Sequence, residues 1–171
     1  LVVDGVMYVT QRPNDVLAVD AKTGPVFWLY RHTVSPDARV CCGSNNRGVA
    51  ILGGTLFLAT LDARLIAIDR TSGRPLWNVP VGDPKLGYSM TMAPLVVKDK
   101  VLVGSGGGEF GIRGFIAAFD AKTGARRWWK SRKEVVGWGT PIAVRAGTRD
   151  EIVISSMRGV YAYNPDDGEV L

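Results

Sequence analysis

Histidine is nearly absent from this chain of 171 residues: His32 is the only one. A single imidazole rules out a His-rich zinc site and argues against Ser-His-Asp chemistry. No charge of one sign dominates, since 21 Lys+Arg stand against 16 Asp+Glu for a net +5. The basic residues are scattered through turns, with no basic stripe interleaved with aromatics, so nucleic acid is not an expected partner. Long apolar runs are missing too. The longest, residues 48–61, falls short of the ~20 residues that cross a bilayer, so no transmembrane segment is expected. No leader pattern opens the chain; Leu1 runs straight into strand-like sequence, which is compatible with a leader already removed. No segment keeps a 3.6-residue apolar period, which argues against long amphipathic helices. At 46% apolar residues the chain also lacks the signature of disorder.

What it does have is glycine and repetition. Gly supplies 21 of the 171 residues, well above the usual ~7%, which favours many turns and many short strands. Asp20-Ala21-Lys22-Thr23-Gly24, Asp69-Arg70-Thr71-Ser72-Gly73 and Asp120-Ala121-Lys122-Thr123-Gly124 are each followed, four residues after the Gly, by Trp28, Trp77 or Trp128. Asn164-Pro165-Asp166-Asp167-Gly168 is a fourth copy near the end of the sequence. The unit starts align as well: Leu1, Leu95 and Ile142 are 94 and 47 residues apart, giving a period near 47. Each unit reads as four strands separated by Asp-Gly, Gly-Gly or Thr-Gly turns. Four strands per ~40–50 residues is the pattern of a β-propeller blade. The expected fold is therefore all-β, a propeller of four-stranded antiparallel blades. Its repeats span about 1–31, 48–81, 93–130 and 140–171, or roughly three and a half blades. In the turns, Asp is expected to accept from amides two residues on, and Gly to supply a positive φ. The tryptophans are expected to pack between blades with the indole N–H on a carbonyl. A partial ring would leave open edges and apolar blade surfaces, so self-association is an expectation.

Cys41 and Cys42 are adjacent. Neighbouring Cα atoms sit near 3.8 Å, closer than the ~4.4–6.8 Å of ordinary disulfides, so the pair is either two reduced cysteines or a strained eight-membered ring. The glycine-rich run Gly104-Ser105-Gly106-Gly107-Gly108-Glu109-Phe110-Gly111-Ile112-Arg113-Gly114 lets backbone approach a ligand closely. No helix pattern and no Lys-Ser/Thr follow it, so it is not a phosphate loop.

Repeats of the form A-x-D-x-x-[TS]-G-x-x-x-W resemble the tryptophan-docking repeats of the quinoprotein alcohol dehydrogenases, eight-bladed propellers that carry pyrroloquinoline quinone (PQQ). The resemblance is good from Leu1 to about Trp129 and generic thereafter. Val40-Cys41-Cys42-Gly43-Ser44-Asn45-Asn46-Arg47-Gly48 is similar to the family's vicinal-cysteine segment. It implies that Cys41 and Cys42 form a disulfide plate on one face of the quinone and that Arg47 bonds a quinone carboxylate. Asn45 stands where an apolar residue is common. Gly107, Gly108 and Glu109 match the G-G-A-E-F-G-x-R-G loop, which implies that Gly107 and Gly108 line the quinone and that Glu109 ligates calcium or a lanthanide. Tyr88-Ser89-Met90-Thr91-Met92-Ala93-Pro94 resembles Y-[ST]-I-T-G-A-P, which gives Thr91 a quinone contact, with Met92 in place of a glycine. Trp138 is the candidate for the second plate. Ser155-Ser156-Met157-Arg158 stands opposite the family's G-T-G-N, and an arginine there would repel a cation.

The resemblance implies a fragment of a PQQ-dependent alcohol or sugar dehydrogenase. Such an enzyme oxidises a hydroxyl to a carbonyl with hydride transfer to PQQ, and passes electrons to an acceptor such as a cytochrome c. The family's catalytic aspartate has no match here, and Asp4, Asp62, Asp83 and Asp99 are turn residues, so no catalytic residue is assigned and the chain alone is expected to be inactive. A bridged Cys41–Cys42 implies an oxidising setting, a bacterial periplasm. Two alternatives stand beside this: a non-catalytic quinoprotein-like propeller acting as a protein-interaction scaffold, and a half-propeller that pairs with its own copy.

Overall fold

A computed structural model describes residues 1–132 and 139–171. Fifteen strands occur among them, arranged as four antiparallel sheets. The first sheet holds β1 (Val2–Val3), β2 (Val6–Gln11), β3 (Asp15–Asp20) and β4 (Val26–Tyr30), and the second β5 (Ala50–Leu52), β6 (Thr55–Ala59), β7 (Arg64–Asp69) and β8 (Pro75–Pro80). The third holds β9 (Leu95–Val97), β10 (Lys100–Gly104), β11 (Phe115–Asp120) and β12 (Arg126–Ser131), and the fourth β13 (Ile142–Ala146), β14 (Arg149–Ser156) and β15 (Gly159–Tyr163). In each sheet the spatial order follows the chain order, as in a propeller blade. The fourth sheet departs from the four-strand expectation: its last segment contributes only a single bridge, Val170 opposite Tyr163. The described residues contain no α-helix, only 3₁₀ turns at Pro84–Leu86 and Gly108–Phe110.

Period-2 alternation divides each sheet between its two neighbours. In the second sheet Leu56, Leu58, Ile66 and Ile68 pack with Tyr8, Val16 and Ala18 of the first. The intervening Phe57, Ala59, Leu65 and Ala67 pack with Val101, Val103, Phe115 and Ala117 of the third. The opposite face of the third sheet, Leu102, Ile116, Ala118 and Trp128, meets Ile152, Ile154 and Tyr163 of the fourth. β6 and β7 are thus buried on both faces, which explains why their sequences are nearly continuous apolar runs. The outer faces of the end sheets stay apolar and open, with Phe27 57% and Leu29 40% exposed on the first and Ile142 54% and Val160 71% on the fourth.

The repeated turn does two jobs. Asp20 Oδ1 accepts from the amides of Lys22 and Thr23 at 2.9 and 2.8 Å, and Asp69, Asp120 and Asn164 cap their turns likewise. The tryptophan after each turn then reaches the next sheet's turn. Trp28 Nε1 donates to Arg70 O at 3.0 Å, Trp77 to Ala121 O at 3.3 Å and Trp128 to Pro165 O at 2.9 Å. Each indole lies on the turn glycine of that next sheet: a Cβ on Gly124 would come within 2.9 Å of Trp77. Its φ of +73° is a second reason for glycine there.

Antiparallel order also fixes the two ends of the blades. The first-to-second and third-to-fourth turns share one end, as the bond from Ala21 N to Gly5 O shows. The second-to-third loops and the linkers between sheets share the other. Cys41, Cys42, Arg47, Thr91, Gly107, Gly108 and Glu109 all lie in segments of this second end.

Candidate functional site

Residues 31–49 join the first sheet to the second without pairing in any ladder. Within them Cys41 and Cys42 are bridged, Cα atoms 3.8 Å apart, and both residues are exposed. Of the two readings the sequence left open, the structure takes the disulfide. Asn45 holds the ring in place: its Nδ2 donates to Cys42 O at 3.1 Å while its Oδ1 accepts from Arg12 Nη2 at 2.7 Å. An apolar residue could do neither, so this departure from the family pattern has a local function. Asn46 then pins the linker to the second sheet, Nδ2 to Ala59 O at 2.7 Å and Oδ1 from Gly48 N at 2.9 Å.

Arg47 and Thr91 come together across 44 positions of sequence. Arg47 N donates to Thr91 O at 3.0 Å, and Arg47 Nη1 donates to Thr91 Oγ1 at 2.6 Å. Arg47 is exposed, and its planar guanidinium is the kind of group that suits a carboxylate. The glycine-rich loop joins the same neighbourhood through paired backbone bonds between Ser89 and Gly106, 2.7 and 3.4 Å. Gly107, at φ +109°, is pressed against the connection between the second and third sheets, where a Cβ would lie 2.0 Å from Gly87 O. Gly108 differs: a Cβ there would meet nothing within 4 Å, leaving its backbone open on one side. Met92 finds a partner of its own, its Sδ accepting from Gly104 N at 3.3 Å. Glu109 sits in the 3₁₀ turn, exposed and with no ion pair among the described residues. Arg158 occupies the two-residue hairpin between β14 and β15, on the same end. Trp138 lies outside the described residues.

The chemistry of these donors fits a quinone bearing carboxylates: a cationic fork, a hydroxyl beside it, an open glycine backbone and a flat sulfur plate. The fit to a metal is partial. Among the described residues no three His, Cys, Asp or Glu side chains cluster, and Glu109 is the one carboxylate among the candidate site residues, so those residues alone do not complete a hard-cation site.

One pair was not visible as a site in the sequence. His32 Nε2 lies 2.9 and 3.1 Å from the two oxygens of Asp62, which also accepts from Thr60 Oγ1 at 2.6 Å and Ser35 N at 3.2 Å. Burial alone would raise the Asp62 pKa; the hydrogen bonds from His32 and Thr60, the His32 charge and the Ser35 amide outweigh it and hold the carboxyl down at about 2. The Asp62 charge adds to burial in raising the Tyr30 phenol, with Arg64 opposing. A cleft of about 550 Å³ borders Ser35, Asp62, Arg64 and Asp83. The only sequence signal was a lone histidine and a turn aspartate 30 residues apart.

Comparison with known proteins bears on the fold and the family. The family described as "PQQ: Glucose/ethanol/alcohol dehydrogenase, beta-propeller domain" matches residues 1–143. The chain is 42% identical over 134 residues to quinoprotein alcohol dehydrogenase PedH of Pseudomonas putida, covering 78% of this chain and 22% of that protein. It is 43% identical over 182 residues to quinohemoprotein alcohol dehydrogenase ADH-IIG of Pseudomonas putida, covering 97% of this chain and 25% of the relative. The chain thus spans about a quarter or less of these relatives' lengths. Among solved structures, a europium-containing methanol dehydrogenase superposes with a TM-score of 0.85 at 30% identity, covering 99% of this chain and 40% of that one. BamB from Moraxella catarrhalis superposes at 0.70 with 21% identity, which is a likeness of fold alone.

Proposed function

Because the chain belongs to the PQQ-dependent glucose/ethanol/alcohol dehydrogenase β-propeller family, we propose that it forms one sector of a quinone-dependent alcohol dehydrogenase propeller and supplies one side of its cofactor site. The observation that carries this reading is the meeting of Arg47 with Thr91 beside the linker that holds the Cys41–Cys42 bridge. PQQ, when bound, supplies the hydride acceptor for oxidation of an alcohol carbon to a carbonyl.

The chain's own residues do the binding and shaping. Arg47 takes a carboxylate, and Thr91 fixes the guanidinium so that less side-chain freedom is lost on binding. The Cys41–Cys42 ring covers one face of a flat ligand. Gly108 lets backbone approach it, and Thr91 Oγ1 adds a polar contact. Glu109 offers a carboxylate oxygen to calcium or a lanthanide. Arg12, Arg31, Arg39, Arg47, Arg113 and Arg158 all lie in loops or linkers of this end, which gives it the sign that attracts a polycarboxylate. The chain is assigned no base; Trp138 is the candidate for the second plate, and a base and further metal ligands would come from other parts of a ring. The open apolar faces of the first and fourth sheets pack against further blades, in a longer chain or in a second copy. The substrate class is a small alcohol or sugar, the acceptor a protein such as a cytochrome c, and the compartment the periplasm, which keeps Cys41–Cys42 oxidised. No helix among the described residues is long and apolar enough to cross a membrane.

Arg158, on the same end as Glu109, favours the second reading, a propeller of this family that has lost its metal and serves as a scaffold. Equilibrium dialysis of the chain against PQQ, with and without calcium, separates the two. Binding weakened by Arg47→Ala and Thr91→Val supports the cofactor site; no binding at either metal condition supports the scaffold.

A further inference from the structure

The linker that carries Cys41–Cys42 is 19 residues without a ladder bond, yet the sulfur plate must stand in one place to cover a ligand. Beyond the disulfide it is tied by Asn46 and Arg47. Before the disulfide its buried side-chain anchor is Asp62, which receives both His32 Nε2 and Ser35 N, with an exposed ion pair between Asp37 and Lys85 at 3.8 Å beside it. The two side chains are withdrawn from solvent, His32 8% and Asp62 5% exposed. Asp62 is itself held by Thr60, whose amide and hydroxyl bond Arg64 O across the tip of the loop between β6 and β7. His32 is therefore fastened to a rigid part of the second sheet, while Cys41 lies six residues past Ser35. The charged or titratable groups facing the pair are the Tyr30 phenol from β4 and the Arg64 guanidinium from β7, with Asp83 on the far rim of the cleft.

We propose that His32 is a positioning residue: clamped on the Asp62 carboxylate, it latches the linker to the second sheet and so fixes where the Cys41–Cys42 plate stands. A hydrogen bond onto a charged acceptor is among the stronger ones, which gives the latch its hold. The plate's service to a quinone rests on the cofactor reading above. The latch's hold on the disulfide does not.

The test is the rate at which tris(2-carboxyethyl)phosphine reduces Cys41–Cys42 in the full chain, followed by alkylation and mass spectrometry. The variants are His32→Ala, His32→Gln and Asp62→Asn. Gln places an amide donor near the position of Nε2 and is the conservative variant that should rescue the latch. A hydrogen bond to a charged group is worth enough to shift a local opening by ~10-fold. His32→Ala and Asp62→Asn should be reduced ~10-fold faster than the wild type, with His32→Gln close to the wild type. Wild-type rates for His32→Ala and Asp62→Asn would overturn the proposal, and so would a His32→Gln rate as fast as that of His32→Ala. Should His32→Ala not fold, His32→Gln and Asp62→Asn decide alone. A latch that behaves as described in a chain that binds no PQQ would sink the cofactor reading and leave the latch standing.

Discussion

Gly24 and Gly124 close identical pentapeptides, Asp-Ala-Lys-Thr-Gly, in identical turns, yet they differ in one respect. Both have a left-handed φ, +95° and +73°. A Cβ on Gly24 would meet nothing within 4 Å, whereas one on Gly124 would lie 2.9 Å from the Trp77 ring and 3.1 Å from Val79. Gly24→Ala therefore carries only the cost of a left-handed alanine, about 1–2 kcal/mol. Gly124→Ala adds an overpacked contact between the second and third sheets, a further ~1–3 kcal/mol. For a domain of this size the difference should place its melting temperature ~2–12 °C below that of Gly24→Ala. Thermal denaturation followed by circular dichroism and tryptophan fluorescence would measure both variants. Equal losses for the two variants would refute the idea that the indole seated on the next turn holds neighbouring sheets together.

Asp62→Asn should remove stability in a pH-dependent way. The carboxyl titrates near 3.8 when free and at about 2 when folded, so its contribution, ~2 kcal/mol, is complete above about pH 4–5 and fades as pH falls toward 2. The gap in urea midpoint between wild type and Asp62→Asn should close over that window; a gap unchanged from pH 6 to pH 2 would contradict the assignment. Phe57→Ala should cost ~3–5 kcal/mol, because the ring is fully buried between the second and third sheets with Trp77 centred 5.8 Å away. A loss below ~1 kcal/mol in its denaturation midpoint would mean that interface is not closely packed. Glu109→Gln should leave stability within ~0.5 kcal/mol, since the side chain is exposed in a turn, while abolishing any strengthening of PQQ binding by calcium, as read by dialysis.

The blade pattern was legible because each part of it is local: an aspartate capping its own turn, a glycine at positive φ, and a period-2 strand on either side. The partners of Trp28, Trp77 and Trp128 also followed, since an indole between stacked sheets needs a carbonyl within reach. Two features resisted. The fourth sheet keeps three strands plus the bridge at Val170, although its turn Asn164 to Gly168 reads like the others. And the His32–Asp62 pair depends on how the first linker folds back over the second sheet, a long-range contact that no local spacing encodes. The meeting of Arg47 and Thr91 is of the same kind: the residues were nameable from a resemblance, but their mutual bond is a product of the linkers sharing one end of the blades. Asn45 and Met92 looked like departures from the family pattern; the structure gives each a partner, Cys42 O with Arg12 for one and Gly104 N for the other.

The central claim, that this sector carries one side of a quinone site, is tested most directly by titrating PQQ into the chain and following its five tryptophans by fluorescence, first with calcium and then with a lanthanide. The account predicts saturable quenching that Cys42→Ser and Arg47→Ala each weaken ~10-fold or more, in line with the loss of a charge-assisted contact. A chain that circular dichroism shows to be folded but that gives no quenching, or quenching indifferent to both substitutions, would contradict it.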